Sequence, residues 1–218
     1  MKDLRPTLYK TADGSNTLYV KDLDQCYHSK HGAMQESQHI FIRHGLEFVL
    51  KKKQCPSILE IGLGTGLNCL LTFSKSLGVS YTSIEKHPVS LDLAIELGYC
   101  ESEKEQLIYR QIHEAPWGEE LNINGNRLFK MQEDIIHCDF GINKYDIVYF
   151  DAFSPEAQPK LWTEAIFLKM YHAMKEGGVL VTYCAKGVVK RTLKSVGFTL
   201  EHPPGPPGKR EITRATKL

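Results

Sequence analysis

The chain has 218 residues, 42% hydrophobic and 24% charged, with a formal net charge of +1. These proportions exclude a disordered tail, a collagen-like repeat and a long coiled coil, and the length fits one full domain with a small extension. No apolar run approaches the ~20 residues of a membrane span, and the start, Met1 to Pro6, has no apolar signal core, so a soluble cytoplasmic protein is expected.

In chain order, residues 7–10 and 17–20 read as a hairpin around Asp13, Gly14, Ser15 and Asn16. Residues 35–52 carry a stripe of Ile40, Phe41, His44, Phe48 and Val49 and run into the three lysines 51–53, which suit a helix C-terminus. After Pro56 the pattern alternates. Strands are predicted at 57–61, 79–85, 127–132, 145–151 and 179–183. Helices are predicted at 68–77, 90–97, 103–115, 163–174 and 186–196. Ser102 and Glu105 have capping-box spacing, and Gly177 with Gly178 is read as a helix stop. Two last strands, 198–202 and 211–216, flank the stiff loop 203–208, which holds four prolines. This alternation predicts an α/β class, an open, mostly parallel Rossmann-like sheet with a C-terminal β-hairpin. Residues 1–55 are read as a hairpin-and-helix extension and 56–218 as the main domain.

Charge is uneven along the chain. Residues 186–218 hold eight Lys or Arg against two acids, and the remainder is net acidic. A basic end suits either a polyanion or a plain solvated surface. Six cysteines include no C-x-x-C pair, and Cys26, His28 and His31, like His39 and His44, lack a completing ligand pair. No metal site and no disulfide is expected.

The first chemical motif is Glu60-Ile61-Gly62-Leu63-Gly64-Thr65-Gly66-Leu67-Asn68, placed between a strand and a helix. Glycines there permit a sharp turn and close approach to a ligand. A dinucleotide fingerprint needs glycine at 67, where this chain has Leu67. Glu85, at the end of the next strand, is placed to accept both hydroxyls of a ribose. Glu133 and Asp134 follow the third strand and are either ligand contacts or solvated loop acids. Asp151 ends a strongly apolar strand, so its carboxyl needs a reason to be there. One reason is an amine substrate whose proton it accepts, and another is a cap for the next turn. Phe153 is a candidate wall for a cation.

The acid–glycine spacing resembles the S-adenosylmethionine loop of class I methyltransferases. That resemblance implies S-adenosylmethionine as cofactor, with Glu60 on the side of the methionine ammonium and Asp134, with Glu133 beside it, on the adenine amino group. A closer resemblance rests on motifs in one order: Asp22, Asp24, Tyr27 and Ser29; the glycine loop; Glu85-Lys86 and Pro88; Asp151-Ala152-Phe153-Ser154-Pro155; Leu161-Trp162-Thr163; Gly177-Gly178; Gly187 to Phe198; and Gly208-Lys209-Arg210-Glu211. Together these are similar to the methyltransferase domain of the bifunctional bacterial enzyme that completes 5-methylaminomethyl-2-thiouridine at the tRNA wobble position. Glu133 departs from the glycine that family often has there.

The resemblance implies an enzyme that methylates the amine of 5-aminomethyl-2-thiouridine, with Asp151 and Phe153 catalytic. The implied cofactor set is Tyr27, Glu60, Gly62, Gly64, Thr65, Gly66, Asn68, Glu85, Lys86, Glu133 and Asp134. The implied contacts to a tRNA anticodon stem-loop are Lys186, Lys190, Arg191, Lys194, Lys209, Arg210 and Arg214. Trp162, Phe153 or Tyr183 would stack on the base or belong to the core. A chain ending at Leu218 is expected to be the stand-alone form, without the flavin oxidoreductase domain, so that a separate enzyme supplies the aminomethyl intermediate. Two other readings remain: a class I amine methyl- or aminopropyltransferase acting on a small polyamine-like substrate, and an RNA-binding module on an inactive fold.

Overall fold

The structure is a computed structural model describing residues 6–75 and 77–218. At the N-terminus, β1 (Thr7–Lys10), β2 (Asn16–Val20) and β3 (Gln25–Cys26) form a small antiparallel sheet. One long helical stretch follows: α1 (Ala33–Ser37), a π-helical segment Gln38–Leu46, and α2 (Glu47–Leu50). The main sheet has strand order β10-β11-β9-β8-β4-β5-β7-β6. Its strands are β4 (Ser57–Ile61), β5 (Ser80–Ile84), β6 (Glu120–Ile123), β7 (Asn126–Met131), β8 (Tyr145–Phe150), β9 (Met174–Thr182), β10 (Thr199–Glu201) and β11 (Thr213–Thr216). The helices between them are α3 (Leu67–Ser74), α4 (Leu91–Glu96), α5 (Glu103–Glu114), α6 (Glu164–Ala173) and α7 (Gly187–Ser195).

The five central strands, β9-β8-β4-β5-β7, are parallel, and antiparallel hairpins close both edges. Side-chain alternation sends Ile58, Tyr81, Ile147, Tyr149 and Val181 into one apolar layer with the N-terminal helical stretch, α3 and α5. Leu59, Ile61, Ile84, Val148, Phe150 and Leu180 enter the opposite layer with α6 and α7. Leu18, Ile40, Phe41 and Leu46 from the first 55 residues belong to the first layer, sharing its core with the sheet. Among the described residues, no helix is long and apolar enough to cross a membrane.

The predicted alternation and the C-terminal hairpin are present, with five departures. Gly177 and Gly178 do not stop a helix, because α6 ends at Ala173 and the chain passes directly into β9. The pair falls where the β8–β9 register slips between Tyr145↔Met174 and Ile147↔Val179. Gly177 there adopts φ +72°, and a Cβ on Gly178 would lie 2.8 Å from the Lys175 carbonyl. Strand β6 was not predicted, although its turn holds the hairpin pair Asn124-Gly125, both with positive φ. Strand β3 and the π-helical segment were also missed. Finally, Ser102 caps α5 by accepting the Glu105 N–H, but the Glu105 carboxylate takes the Glu101 N–H, not that of Ser102.

Candidate active site

Strand order reverses between β4 and β8, and ligands in open α/β sheets bind beyond the carboxyl ends of strands at such a point. A cavity of about 750 Å³ lies there. This is within the usual ~300–1,000 Å³ of small-ligand sites. Its floor is the turn after β4. Gly62 donates its N–H to the Ile84 carbonyl, and Asp151 donates its own to Ile61. Gly62 has φ +89°, and a Cβ there would sit 2.8 Å from the Asp151 carbonyl. At Gly64, φ +52°, a Cβ would lie 3.0 Å from the Tyr27 ring. The turn therefore requires glycine at both positions.

Glu85 is the first residue past β5 and lines the cavity. Its two oxygens accept the N–H groups of Gly64 (3.0 Å) and His87 (2.8 Å), while burial raises its carboxyl above the usual range. Asp134 and Glu133 line the same wall. Lys86 binds Asp134 at 2.8 Å, and that ammonium, followed by the Ile136 N–H, holds the Asp134 carboxyl below its ordinary value. Glu133 accepts from the Cys138 thiol at 3.1 Å. Thr65 is buried at the end wall, its hydroxyl 2.7 Å from His28 Nε2, and burial lowers His28 to about 4, keeping it neutral.

Asp151 is the first residue past β8, and its carboxyl enters the cavity. Oδ2 accepts from Asn68 Nδ2 at 2.8 Å. Burial pushes this carboxyl up to about 8, Glu36 adds to the rise, and the Asn68 amide and Lys209 oppose it. Phe153 packs edge-on against Tyr27, with ring centroids 5.0 Å apart, and both rings line the cavity. Tyr183 donates its hydroxyl to the Ala152 carbonyl, and the Lys209 ammonium lies 4.7 Å above its ring. Glu36 anchors Lys209 at 3.3 Å and accepts the Ser29 N–H at 2.7 Å.

The predicted residues that meet at the cavity are Tyr27, Gly62, Gly64, Thr65, Glu85, Lys86, Glu133, Asp134, Asp151 and Phe153, with Lys209 from the basic set. Glu60, Gly66 and Asn68 do not line it. Glu60 lies inside β4, fully buried on the helix-covered face, so its carboxyl does not reach the cavity in this structure. Gly66 faces His113 and Tyr109. Asn68 touches the site only through Asp151.

The basic residues separate into two groups. Lys186 pairs with Glu156, Lys190 with Glu211 and Arg214 with Glu201. Arg214 is only 9% exposed and stacks 3.6 Å over Phe48, which removes it from the set of free phosphate contacts. Arg191, Lys194 and Arg210 are exposed and show no ion pair among the described residues. Trp162 is a core residue packed on Phe150 and Phe167, and its indole N–H donates to the Phe153 carbonyl. His28, Glu36 and Tyr183 are site residues that sequence reasoning passed over or left among several options. The only signal for Glu36 was an acid within a helix bearing an apolar stripe.

Fold and cavity together define a class I, Rossmann-like methyltransferase. The sequence model of the family described as "S-adenosyl-L-methionine-dependent methyltransferase" matches residues 109–218, half of the chain, and the protein belongs to that family. Its methyl donor is S-adenosylmethionine, which the glycine turn, Glu85 and Asp134 suit. Among curated relatives, the tRNA 5-methylaminomethyl-2-thiouridine biosynthesis bifunctional protein MnmC of Stutzerimonas stutzeri is 29% identical over 86% of this chain and 31% of its own length. An uncharacterized protein of Methanocaldococcus jannaschii is 28% identical over 96% of this chain and 59% of its own. The chain thus spans about a third of the bifunctional relatives it matches. The crystal structure of MnmC2 from Aquifex aeolicus matches with a TM-score of 0.79 at 23% identity, covering 100% of this chain and 71% of that one. Spermidine synthase from Thermotoga maritima shares the fold at a TM-score of 0.54 and 14% identity.

Proposed function

We propose that the protein methylates the amine of 5-aminomethyl-2-thiouridine at the wobble position of tRNA, giving 5-methylaminomethyl-2-thiouridine. The observation that carries this reading is the Asp151 carboxyl, buried at the switch point in the same cavity as the Glu85 wall. S-adenosylmethionine supplies an electrophilic methyl group when bound. Asp151 accepts a hydrogen bond from the attacking nitrogen, orients its lone pair and takes the proton the amine must lose. In the transfer, a nitrogen–carbon bond forms as a sulfur–carbon bond breaks, and the proton leaves through Asp151 to solvent.

On this reading Glu85 holds the ribose hydroxyls, Asp134 with Glu133 the adenine edge, and Thr65 with Gly62 and Gly64 the methionine end. Tyr27 and Phe153 form the aromatic wall beside the methyl. The segment 20–36 covers the cavity, and Lys209 meets a phosphate of the extruded nucleotide. Arg191, Lys194 and Arg210 extend that contact along the anticodon stem-loop in the cytoplasm, where a separate enzyme supplies the aminomethyl base. A polyamine fits less well, because the exposed cations Arg191, Lys194 and Arg210, without an ion pair among the described residues, favour a polyanionic acceptor.

The test is methyl transfer from labelled S-adenosylmethionine into two tRNA pools and into free spermidine. One pool carries 5-aminomethyl-2-thiouridine and the other is unmodified transcript. Label confined to the first pool and lost in Asp151→Ala supports the reading. Label in spermidine, or in unmodified transcript, overturns it.

A further inference from the structure

A second cavity lies between the N-terminal helical stretch and the C-terminal hairpin. It measures about 560 Å³, with Arg43, His44, Phe48 and Lys51 on one wall and Glu201, His202, Pro203 and Arg214 on the other. The π-helical segment shapes the first wall. It brings the rings of His39 and His44, five residues apart, to a centroid separation of 4.8 Å, a pair that an α-helix would send to different faces. His39 Nε2 donates to the Pro204 carbonyl at 2.8 Å and so ties the two walls together.

Charge in this cleft is one-sided. Arg43, Lys51 and Arg214 share it with one carboxylate, Glu201, which Arg214 holds at 2.8 Å. Arg214 also stacks on Phe48, so it is a wall of the cleft and not a contact within it. Arg43 and Lys51 are exposed and have no ion pair among the described residues. His44 registers the excess: burial, then His39, Arg214, Arg43 and Lys51, push it down to about 4. A cleft of this sign suits an anion, whose charge would offset the cations around His44.

The kind of anion follows from what lies beside the cleft. The Ile212 N–H bonds the Pro203 carbonyl at 3.0 Å, and Lys209, at the mouth of the main cavity, is three residues from Ile212, a backbone reach of at most ~11 Å. Exposed Arg210 falls within that span. Cations therefore run from the mouth to the cleft, as a strand of phosphates requires and a single free anion does not. We propose that the cleft is a second phosphate site, which holds the RNA backbone through Arg43 and Lys51 while the wobble nucleotide occupies the main cavity. The inference rests on the reading of the acceptor as tRNA, and it adds the N-terminal helical stretch to the RNA contacts.

The probe is an unmodified anticodon stem-loop RNA, whose binding needs no methyl transfer. Arg43→Gln with Lys51→Gln should raise its Kd fivefold or more at about 0.1 M salt. The slope of log K against log salt should become shallower by about 0.7–1.4, the worth of one or two phosphates. Lys10→Gln with Lys104→Gln removes two exposed cations that line neither cavity and should do neither. The His44 ring resonance, identified by its loss in His44→Asn, should titrate half a pH unit or more higher with RNA bound. S-adenosylmethionine binding by calorimetry should match wild type in R43Q/K51Q. Wild-type affinity and slope in R43Q/K51Q, equal losses in both double variants, or a His44 midpoint that RNA leaves in place overturns the proposal. So does a His44 midpoint moved by millimolar inorganic phosphate and not by the stem-loop, which marks a free-anion site. A wild type that binds the stem-loop yet methylates neither tRNA pool sinks the substrate reading, and the binding comparison still decides the cleft.

Discussion

Asp151→Asn separates holding the amine from taking its proton. Asparagine keeps an oxygen for the Asn68 amide, so the 2.8 Å contact survives while the ionisable group is lost. With the Asp151 carboxyl pushed up to about 8 by burial, about one-tenth of the free enzyme carries the charge at pH 7 and about half at pH 8. A raised carboxyl is protonated below that value, so activity through it rises with pH and levels off above it. The acceptor amine titrates in the same direction, and both enzymes share that dependence. The informative quantity is therefore the ratio of wild-type to D151N rates at several pH values with S-adenosylmethionine and acceptor both well below their KM values, which reports the free enzyme. We expect this ratio to climb about fivefold between pH 7 and 8, then flatten at a plateau of about 10²–10⁴, the usual worth of a general base. The kcat ratio levels off at lower pH, because the positive charge of the bound donor favours the carboxylate. A ratio independent of pH, or a D151N enzyme within threefold of wild type, would refute proton acceptance and reduce Asp151 to a structural cap.

Other outcomes follow from the same geometry. Gly62→Ala places a Cβ at φ +89° and 2.8 Å from the Asp151 carbonyl, so it should abolish S-adenosylmethionine binding by calorimetry and cost about 2–4 kcal/mol in denaturant titration. Gly98→Ala also has positive φ but meets nothing within 4 Å, and should cost only about 1 kcal/mol with binding intact. Arg191→Glu with Lys194→Glu should weaken RNA binding and flatten its salt dependence without moving the melting temperature. Arg214→Ala should instead lower stability by about 1–2 kcal/mol through loss of the Phe48 stack, with little change in the salt slope. At Asp146, burial raises the carboxyl, but Lys53, the Ser57 N–H and Lys175 together hold it below its ordinary value. Its stabilising contribution is therefore present above the unfolded carboxylate range near pH 4 and lost as pH falls through the lower folded value. Asp146→Asn should cost about 2 kcal/mol at pH 7 and almost nothing in strong acid, by urea titration at both pH values.

The parallel core was legible because buried strands such as Ile147–Val148–Tyr149–Phe150 are continuous apolar runs closed by glycine or acid. The edges were harder to read. In β6 the burial pattern is three exposed residues and then Ile123, so hydrophobicity gave no cue, and only the Asn124-Gly125 turn marked the hairpin. At Gly177-Gly178 two mechanisms share one signature. A glycine pair ends a helix through positive φ, and it also permits a strand to slip register beside a neighbouring backbone. The distinction lies in the partner strand, which no local window contains. The π-helical segment has the same limitation, since its apolar stripe fits an α-helix nearly as well.

The site shows the same division between what is local and what is not. Three acids follow or close strands in this sheet, and their positions relative to the strand ends decide their surroundings. Glu85 and Asp151 are each one residue beyond β5 and β8, where pairing has ended and the side chain turns toward the cavity. Glu60 is still inside β4, next to last, where alternation commits it to the face shared with Ile58, under the helices. A shift of two residues thus converts a ligand-facing carboxyl into a buried one. The glycine motif alone does not reveal this, because its spacing counts from the glycines and not from the last paired residue. The β4–β8 register does: Ile61 pairs with Phe150, so the next residues on the two strands, Gly62 and Asp151, face each other across the switch point. The turn glycine is consequently needed for room beside the Asp151 backbone. The Asn68 side chain, in the first turn of α3, then ties the helix that follows the glycine turn to the Asp151 carboxyl at 2.8 Å.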